Sequence, residues 1–592
     1  MIGAVPSLRA VPAFRASSRE LERPSRHTPA GFHAIVGWTL ALSGAVAASA
    51  LLFVRRVLPD PAFAWDEAYH ALYGVLIADE LRRAQWLSAA YDSFLAVYWP
   101  PLHSWYLAVL FLLFGTSRAV ARAGSLAALV GAAAVAHATG RRLATSIGRD
   151  RPTEATRTLA GLIAAGGILA AGGVLVMAPQ AMLEIPALFC LLVCCALYIR
   201  TSESDARHTT WIGLGASVFA TYLTKSNYGV VLAVALVCAF ALDGGWLAAV
   251  PAPQALRATR RGQLLALATL CGLLALWFAY PTKVIGTFRS LINKPSGPSP
   301  ASVAGLLFYP MDLLWLAGSW PMLMCWLLVL GLTCRRAPLR DDPRLRFLTM
   351  VLAIQFVFAE ASQTKLDRHV LPMAPAFALL GAAWASRAWV ALRSRLGRIS
   401  MGAALLAVLA WHVYRVAPEF APVGTGDPVR ELTRSTAFAP LREGHPVLVL
   451  GSNDGGTAPA ALDWWLILDG SMPLSGAGSL FQRASPEPAL GRPWRRDRWP
   501  GPGVCTMYAG LPLGAPADAV LAPTTYRRQV GDLLARHPVD AIVVVSEMNR
   551  RPYPELTSNF VTDTLAELGF VRNEGSDLAR AEEALAFRRA RP

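Results

Sequence analysis

Charge is scarce in this sequence: of 592 residues, 16% are Asp, Glu, Lys or Arg and 54% are apolar. Soluble domains carry about 25% charged residues, so the shortfall excludes a chain built only of such domains. Lysine is rarer still, with four residues (Lys225, Lys283, Lys294 and Lys365) among 55 bases. Paired cysteine motifs are missing as well. Of eight cysteines, Cys190, Cys194, Cys195, Cys238, Cys271, Cys325 and Cys334 lie in or beside apolar runs, and Cys505 stands alone. Thiols so placed pack as small apolar groups. With no Cys-x-x-Cys and no His/Cys cluster, neither a disulfide framework nor a metal is expected.

What is present is long apolar runs. They recur from Ala34 to Val416, at approximately 34–53, 100–115, 119–139, 158–177, 181–199, 211–224, 227–246, 262–281, 312–334, 347–360, 370–391 and 400–416. A helix needs roughly 20 apolar residues to cross a bilayer core of about 30 Å. Lipid offers the backbone no hydrogen-bond partner, so a helical bundle is the expected solution. The net charge of +16 lies in Arg-rich breaks at 140–157, 257–261, 335–346 and 393–398 rather than on one soluble face. That is positive-inside patterning, and no nucleic-acid partner is expected.

The polar leader 1–33 reads as cytoplasmic and disordered, and the run after it as an uncleaved anchor rather than a signal peptide. With the last three basic breaks inside, the loop 282–311 and everything beyond 416 fall outside. A forward count of the runs leaves the tail inside, so one more span is expected between 54 and 180, about thirteen in all. The fold class is thus a polytopic all-α membrane bundle, 34–416, with external loops 54–99 and 282–311. Residues 417–592 are richer in Pro, Gly and charge. The runs 446–450 and 539–545 read as strands and 555–570 as a helix ending near Gly569, a small extracytoplasmic α/β domain. Gly451-Ser-Asn-Asp-Gly-Gly456 lacks the Lys of a phosphate loop and reads as a turn.

Candidate chemistry gathers just after the first run, at Trp65-Asp66-Glu67-Ala68-Tyr69-His70-Ala71-Leu72-Tyr73. As a helix this puts Asp66, Tyr69, His70 and Tyr73 on one face. A carboxylate beside imidazole and phenol groups suits binding and deprotonating a hydroxyl; the alternative is an interfacial helix with an aromatic belt. Further on, Tyr98-Trp99-Pro100-Pro101-Leu102 opens a run that closes at Leu113-Phe114-Gly115. Two prolines suit the entry of a helix and not its interior.

Taken in order, these parts resemble the C-type glycosyltransferase superfamily, in particular the protein O-mannosyltransferases and lipid A aminoarabinose transferases (glycosyltransferase family 39). The early Asp-Glu, the Pro-Pro-Leu and the Phe-Gly before an Arg-bearing span are joined by three more motifs. These are Ala181-Met-Leu-Glu184-Ile-Pro186, Tyr222-Leu-Thr-Lys225-Ser226 and Lys365-Leu-Asp-Arg368-His369-Val-Leu-Pro372. The resemblance covers roughly residues 34–392. It implies a catalytic carboxylate at Asp66 with Glu67 as its neighbour, and a substrate site drawn from Tyr69, His70, Glu184, Lys225, Lys365, Arg368 and His369. Val97-Tyr98-Trp99 stands where the mannosyltransferases have an Asp and a His, and Glu184 where an Asp is commoner, which leaves sugar and acceptor open.

The lysines add an independent argument. In this topology all four fall at the outer face, where positive-inside bias does not put them. A compact ammonium suits a phosphate; snorkelling at the interface is the alternative, and fits Lys283 and Lys294. The expected function is inverting transfer of a sugar from a polyprenyl-phosphate donor to a hydroxyl on a lipid, protein or glycan. Asp66 would serve as general base and cations would offset the leaving phosphate, without metal or cofactor. The rival is a transporter or lipid-linked sugar flippase, which would show inverted repeats and mid-membrane charges. Abundant Arg and Ala suggest a bacterial inner-membrane protein.

Overall fold

The computed structural model describes residues 30–59, 63, 65–95, 100–144, 152–203, 206–243, 254–279, 283–284, 287, 298–334, 342–362, 365–392, 394–421, 428–445, 447–450, 459–469, 504–507, 523–536, 539, 541–545, 558–572 and 584–589. The apolar runs fold as helices. The first five are α1 (Ala30–Leu52, prolonged by a π-helical turn, Phe53–Val57), α2 (Trp65–Arg82), α3 (Trp86–Leu95), α4 (Leu102–Phe114) and α5 (Arg118–Ala144). Then come α6 (Glu154–Ala170), α7 (Gly172–Met177), α8 (Glu184–Thr201), α9 (His208–Thr224), α10 (Ser226–Asp243) and α11 (Gln254–Trp277). The bundle closes with α12 (Val303–Ala317), α13 (Trp320–Cys334), α14 (Pro343–Ala361), α15 (Met373–Ala391) and α16 (Arg395–Val416). Side-chain caps fix several starts: Thr153 accepts from Thr156 N, Ser302 from Gly305 N, Asp342 from Arg344 N and Ser394 from Gly397 N.

Among the described residues, five helices are long and apolar enough to cross a membrane, and six if the bent pair α12–α13 is one span. Two runs read as single spans are divided. The run 158–177 breaks at Ala171, whose φ of −65° and ψ of 119° are extended, into α6 and α7. The run 312–334 breaks too, with α12 and α13 meeting at 114°. Gly318 makes the corner at φ 78°, a conformation that costs any residue with a Cβ. There Gly172 comes so close that a Cβ on it would lie 2.5 Å from the Gly318 Cα, so the two broken elements interlock. Small residues also let α5, α6 and α15 approach, Gly140 against Ala160 and Gly167 against Ala378.

The stretch 54–99, expected as an external loop, carries α2 and α3. α2 is largely buried, packed on α4 and on the helix Pro459–Leu468. The loop expected at 282–311 ends at Ser302, which caps α12. Residues 1–29, 96–99, 288–297 and 451–458, with Lys294 and the 451–456 turn among them, lie outside the described residues.

Toward the C-terminus, β1 (Val447–Leu450), β2 (Val504–Met507), β3 (Ala541–Val545), β4 (Phe570–Arg572) and β5 (Ala584–Arg589) form one mixed sheet in the order β2-β1-β3-β5-β4. β1 pairs in parallel with β2 and β3, whereas β5 is antiparallel to β3 and β4. The helix Ser558–Glu567 stops before Gly569, whose φ is 83°.

The bundle has two chemically distinct ends. Arg122, early in α5, pairs with Glu67. Arg141 lies 19 positions later, about 28 Å along an α-helix and close to a bilayer core. At that far end Arg141 pairs with Glu154 and Arg142 with Glu203, and the start of α14 adds Arg344 on Asp342. Arg141 and Arg142 are therefore about a bilayer core's thickness from the Asp66 end of the molecule.

Candidate active site

Two helix starts, one helix break and one 3₁₀ turn converge at the Asp66 end. α2 opens with Asp66 and Glu67 and α8 with Glu184, where acids gain from unpaired backbone N–H groups and the helix dipole. Between α9 and α10 the chain goes extended at Lys225, φ −149° and ψ 110°. A short 3₁₀ turn, Asp367–Val370, presents Arg368 and His369 before Pro372.

Four of these side chains form an alternating row of charge. Arg368 Nη2 donates to Asp66 Oδ2 at 3.0 Å, and Arg368 Nε lies 3.6 Å from Glu184 Oε1. Lys225 Nζ donates to that same Glu184 oxygen. The Glu184 side chain is 1% exposed and that of Asp66 6%, so neither charge is tenable without its partners. Tyr228 steadies both cations: Lys225 Nζ lies 4.9 Å over its ring, and its hydroxyl donates to the Arg368 carbonyl at 3.4 Å.

The row lines a cavity of about 150 Å³. Asp66 and His70, one turn apart on α2, line it with Pro100, Met182 and Leu183. Lys225, Ser226, Asn227, Arg368 and His369 line it as well, together with Glu184. A carboxylate and two cations thus share the lining of a space the size of a few atoms.

The remaining sequence candidates lie behind this cavity. Glu67 turns away from Asp66 and takes both Arg122 Nε and Nη2, each at 3.0 Å, plus the Ala181 N–H at 2.7 Å. Tyr69 and Tyr73 are buried in the apolar core under α2 rather than on the cavity face. Lys365 reaches Glu360 Oε2 at 3.1 Å and lies 4.7 Å over the Tyr309 ring. That tyrosine bonds His369 Nδ1 at 3.1 Å and accepts from the Leu366 N–H at 3.2 Å, so Lys365 and Tyr309 brace the turn bearing Arg368. Asn227, Tyr228, Tyr309 and Arg122 escaped the sequence reading. Only Arg122 carried a signal, as a charge inside an apolar run. Among the described residues no group of His, Cys, Asp and Glu could hold a metal ion.

No family model and no curated protein matches this sequence. Solved structures do match it in fold. ArnT from Cupriavidus metallidurans bound to undecaprenyl phosphate superposes with a TM-score of 0.50 at 13% identity, over 93% of this chain and 98% of that one. The archaeal oligosaccharyltransferase AglB from Archaeoglobus fulgidus, in complex with an inhibitory peptide and a dolichol-phosphate, gives 0.50 at 11% identity over 88% and 70%. The mycobacterial arabinofuranosyltransferase AftD gives 0.51 at 14% over 94% of this chain and 40% of that one. At such identities the likeness is one of fold.

Proposed function

We propose that this protein is a membrane glycosyltransferase that moves a sugar from a polyprenyl-phosphate donor to a hydroxyl acceptor. The observation that carries this reading is one cavity lined by a carboxylate, Asp66, and by two cations, Lys225 and Arg368. A transfer from a lipid phosphate needs that pairing: a base for the incoming hydroxyl and positive charge for the departing phosphate. The fold likeness to a protein that binds undecaprenyl phosphate, and to one in complex with a dolichol-phosphate, supports the same donor class.

The donor phosphate lies between Lys225 and Arg368. Arg368 is shared between Asp66 and Glu184. A phosphate drawing it away leaves Asp66 to accept a proton. The acceptor oxygen then attacks the anomeric carbon as the bond to the phosphate oxygen breaks with its electron pair. Asp66 keeps the proton, and the sugar leaves inverted. The site opens outside the cytoplasm, opposite the Arg-rich breaks, with the sheet domain on the same side and about thirteen spans in a bacterial inner membrane.

One feature favours a transporter instead: broken helices such as α12–α13, bent by 114°, are common where substrates cross membranes. Purified protein in detergent separates the two. An enzyme consumes a radiolabelled undecaprenyl-phosphate sugar in the presence of envelope acceptors, and Asp66→Asn slows this about 10²–10⁴-fold. A flippase consumes nothing without two compartments, and unchanged turnover in Asp66→Asn removes the base assignment.

A further inference from the structure

Glu67, the neighbour of the proposed base, belongs to a chain of contacts that runs out of the bundle. Its carboxylate is clamped by Arg122 and by the Ala181 N–H, so one side chain ties the first turn of α2 both to α5 and to the 181–184 segment of the cavity wall. The pair is almost sealed from water, 2% exposed on each side. Such a pair holds its geometry only while its surroundings stay packed and dry. The Arg122 guanidinium lies 5.3 Å from the Phe63 ring centre, and that ring stands edge-on to Trp464 at 4.9 Å. Trp464 also meets Phe111 of α4 at 6.3 Å and is 1% exposed.

We infer that Trp464 is a positioning residue for the site: through Phe63, Arg122 and Glu67 it fixes the first turn of α2 and so aims Asp66. This gives the Pro459–Leu468 helix, which precedes most of the sheet in sequence, a direct mechanical link to the chemistry, and rests on the sugar-transfer reading for its catalytic consequence. The contribution is apolar. The indole N–H of Trp464 has no acceptor among the described residues, so ring volume and edge contact are what it supplies. Its neighbour Trp465 is a built-in control. It is 7% exposed and lies between the guanidiniums of Arg118 and Arg430, 4.6 Å from each, aside from the route to Glu67.

The test compares Trp464→Ala, Trp464→Phe and Trp465→Ala as full-length proteins in detergent, by transfer kinetics and by hydrogen exchange of peptides covering 65–73. A misplacement near 1 Å costs about 10²-fold in rate. Trp464→Ala should therefore lose about 10–100-fold in kcat with donor KM within about twofold. It should also exchange faster at 65–73. Trp464→Phe restores both readouts, and Trp465→Ala keeps kcat within about threefold. A merely structural role predicts equal losses for both alanine variants and no split between kcat and KM, which overturns the proposal. So does wild-type exchange at 65–73 in Trp464→Ala. If wild-type protein transfers no sugar, the functional reading fails and exchange alone decides the positioning role.

Discussion

Arg368 and Asp66 stand 302 positions apart in the chain and 3.0 Å apart in space. Their contact neutralises both charges, so that on the proposed reading the base and one phosphate-binding cation hold each other. Arg368→Lys keeps the charge but loses the fork that spans Asp66 and Glu184. We expect this variant to bind donor within about tenfold of wild type and to lose more in kcat, since a point charge cannot serve both carboxylates in one geometry. Steady-state kinetics with a labelled donor checks it; equal losses in kcat and in donor affinity count against a hand-over from Asp66 to phosphate.

Glu184 has a different part. It shares one oxygen with Lys225 and Arg368, holding two cations close together that would otherwise repel. Glu184→Gln removes the anion that competes with phosphate, so affinity for undecaprenyl phosphate should rise about tenfold, some 1.4 kcal/mol. It also leaves two cations short of a partner, so the apparent Tm falls. Calorimetric titration and a thermal melt read both. Weaker phosphate binding in the glutamine variant contradicts this account.

Much of this site was legible in the sequence, and the reason is local. Asp66, His70, Glu184, Lys225, Arg368 and His369 each sit at a helix start or break, where prolines, acids and a lone lysine leave marks in an apolar chain. All six line the same cavity. Glu67 and Lys365 lie in the same motifs yet point elsewhere, to Arg122 and Glu360. A motif fixes where the backbone turns, whereas the direction of each side chain depends on partners far along the chain. The same limit applies to the spans. Hydropathy averages over Ala171 and Gly318, so runs broken there read as continuous.

The Glu67–Arg122 pair is a structural prediction of its own. Breaking one side leaves a charge stranded in an apolar core, and costs about 3–5 kcal/mol. Arg122→Met should therefore lower the melting temperature sharply. Adding Glu67→Gln to it removes the stranded carboxylate and should recover part of the loss. A double variant no more stable than Arg122→Met means the pair is not what holds α2 to α5.

Lys283 gives a pH dependence with a definite sign. Its ammonium donates to the Phe94 carbonyl and lies 3.0 Å from the Trp277 ring centre and 4.1 Å from that of Phe94, pinning the start of the 282–302 connection to α3 and α11. The carbonyl and rings favour the charged form, but burial outweighs them and pulls its pKa down to about 7. A lysine in unfolded chain ionises near 10.4, so above about pH 7 the unfolded state binds a proton that the folded state does not. Stability from this group therefore increases from about pH 7 to 10 and is least below pH 7. Thermal melts across that window should climb in wild type, and Lys283→Met should flatten the climb while keeping the apolar packing of the stem. A wild-type melt that is flat or falling from pH 7 to 9, with Lys283→Met unchanged from it, means that the amine stays charged among these rings.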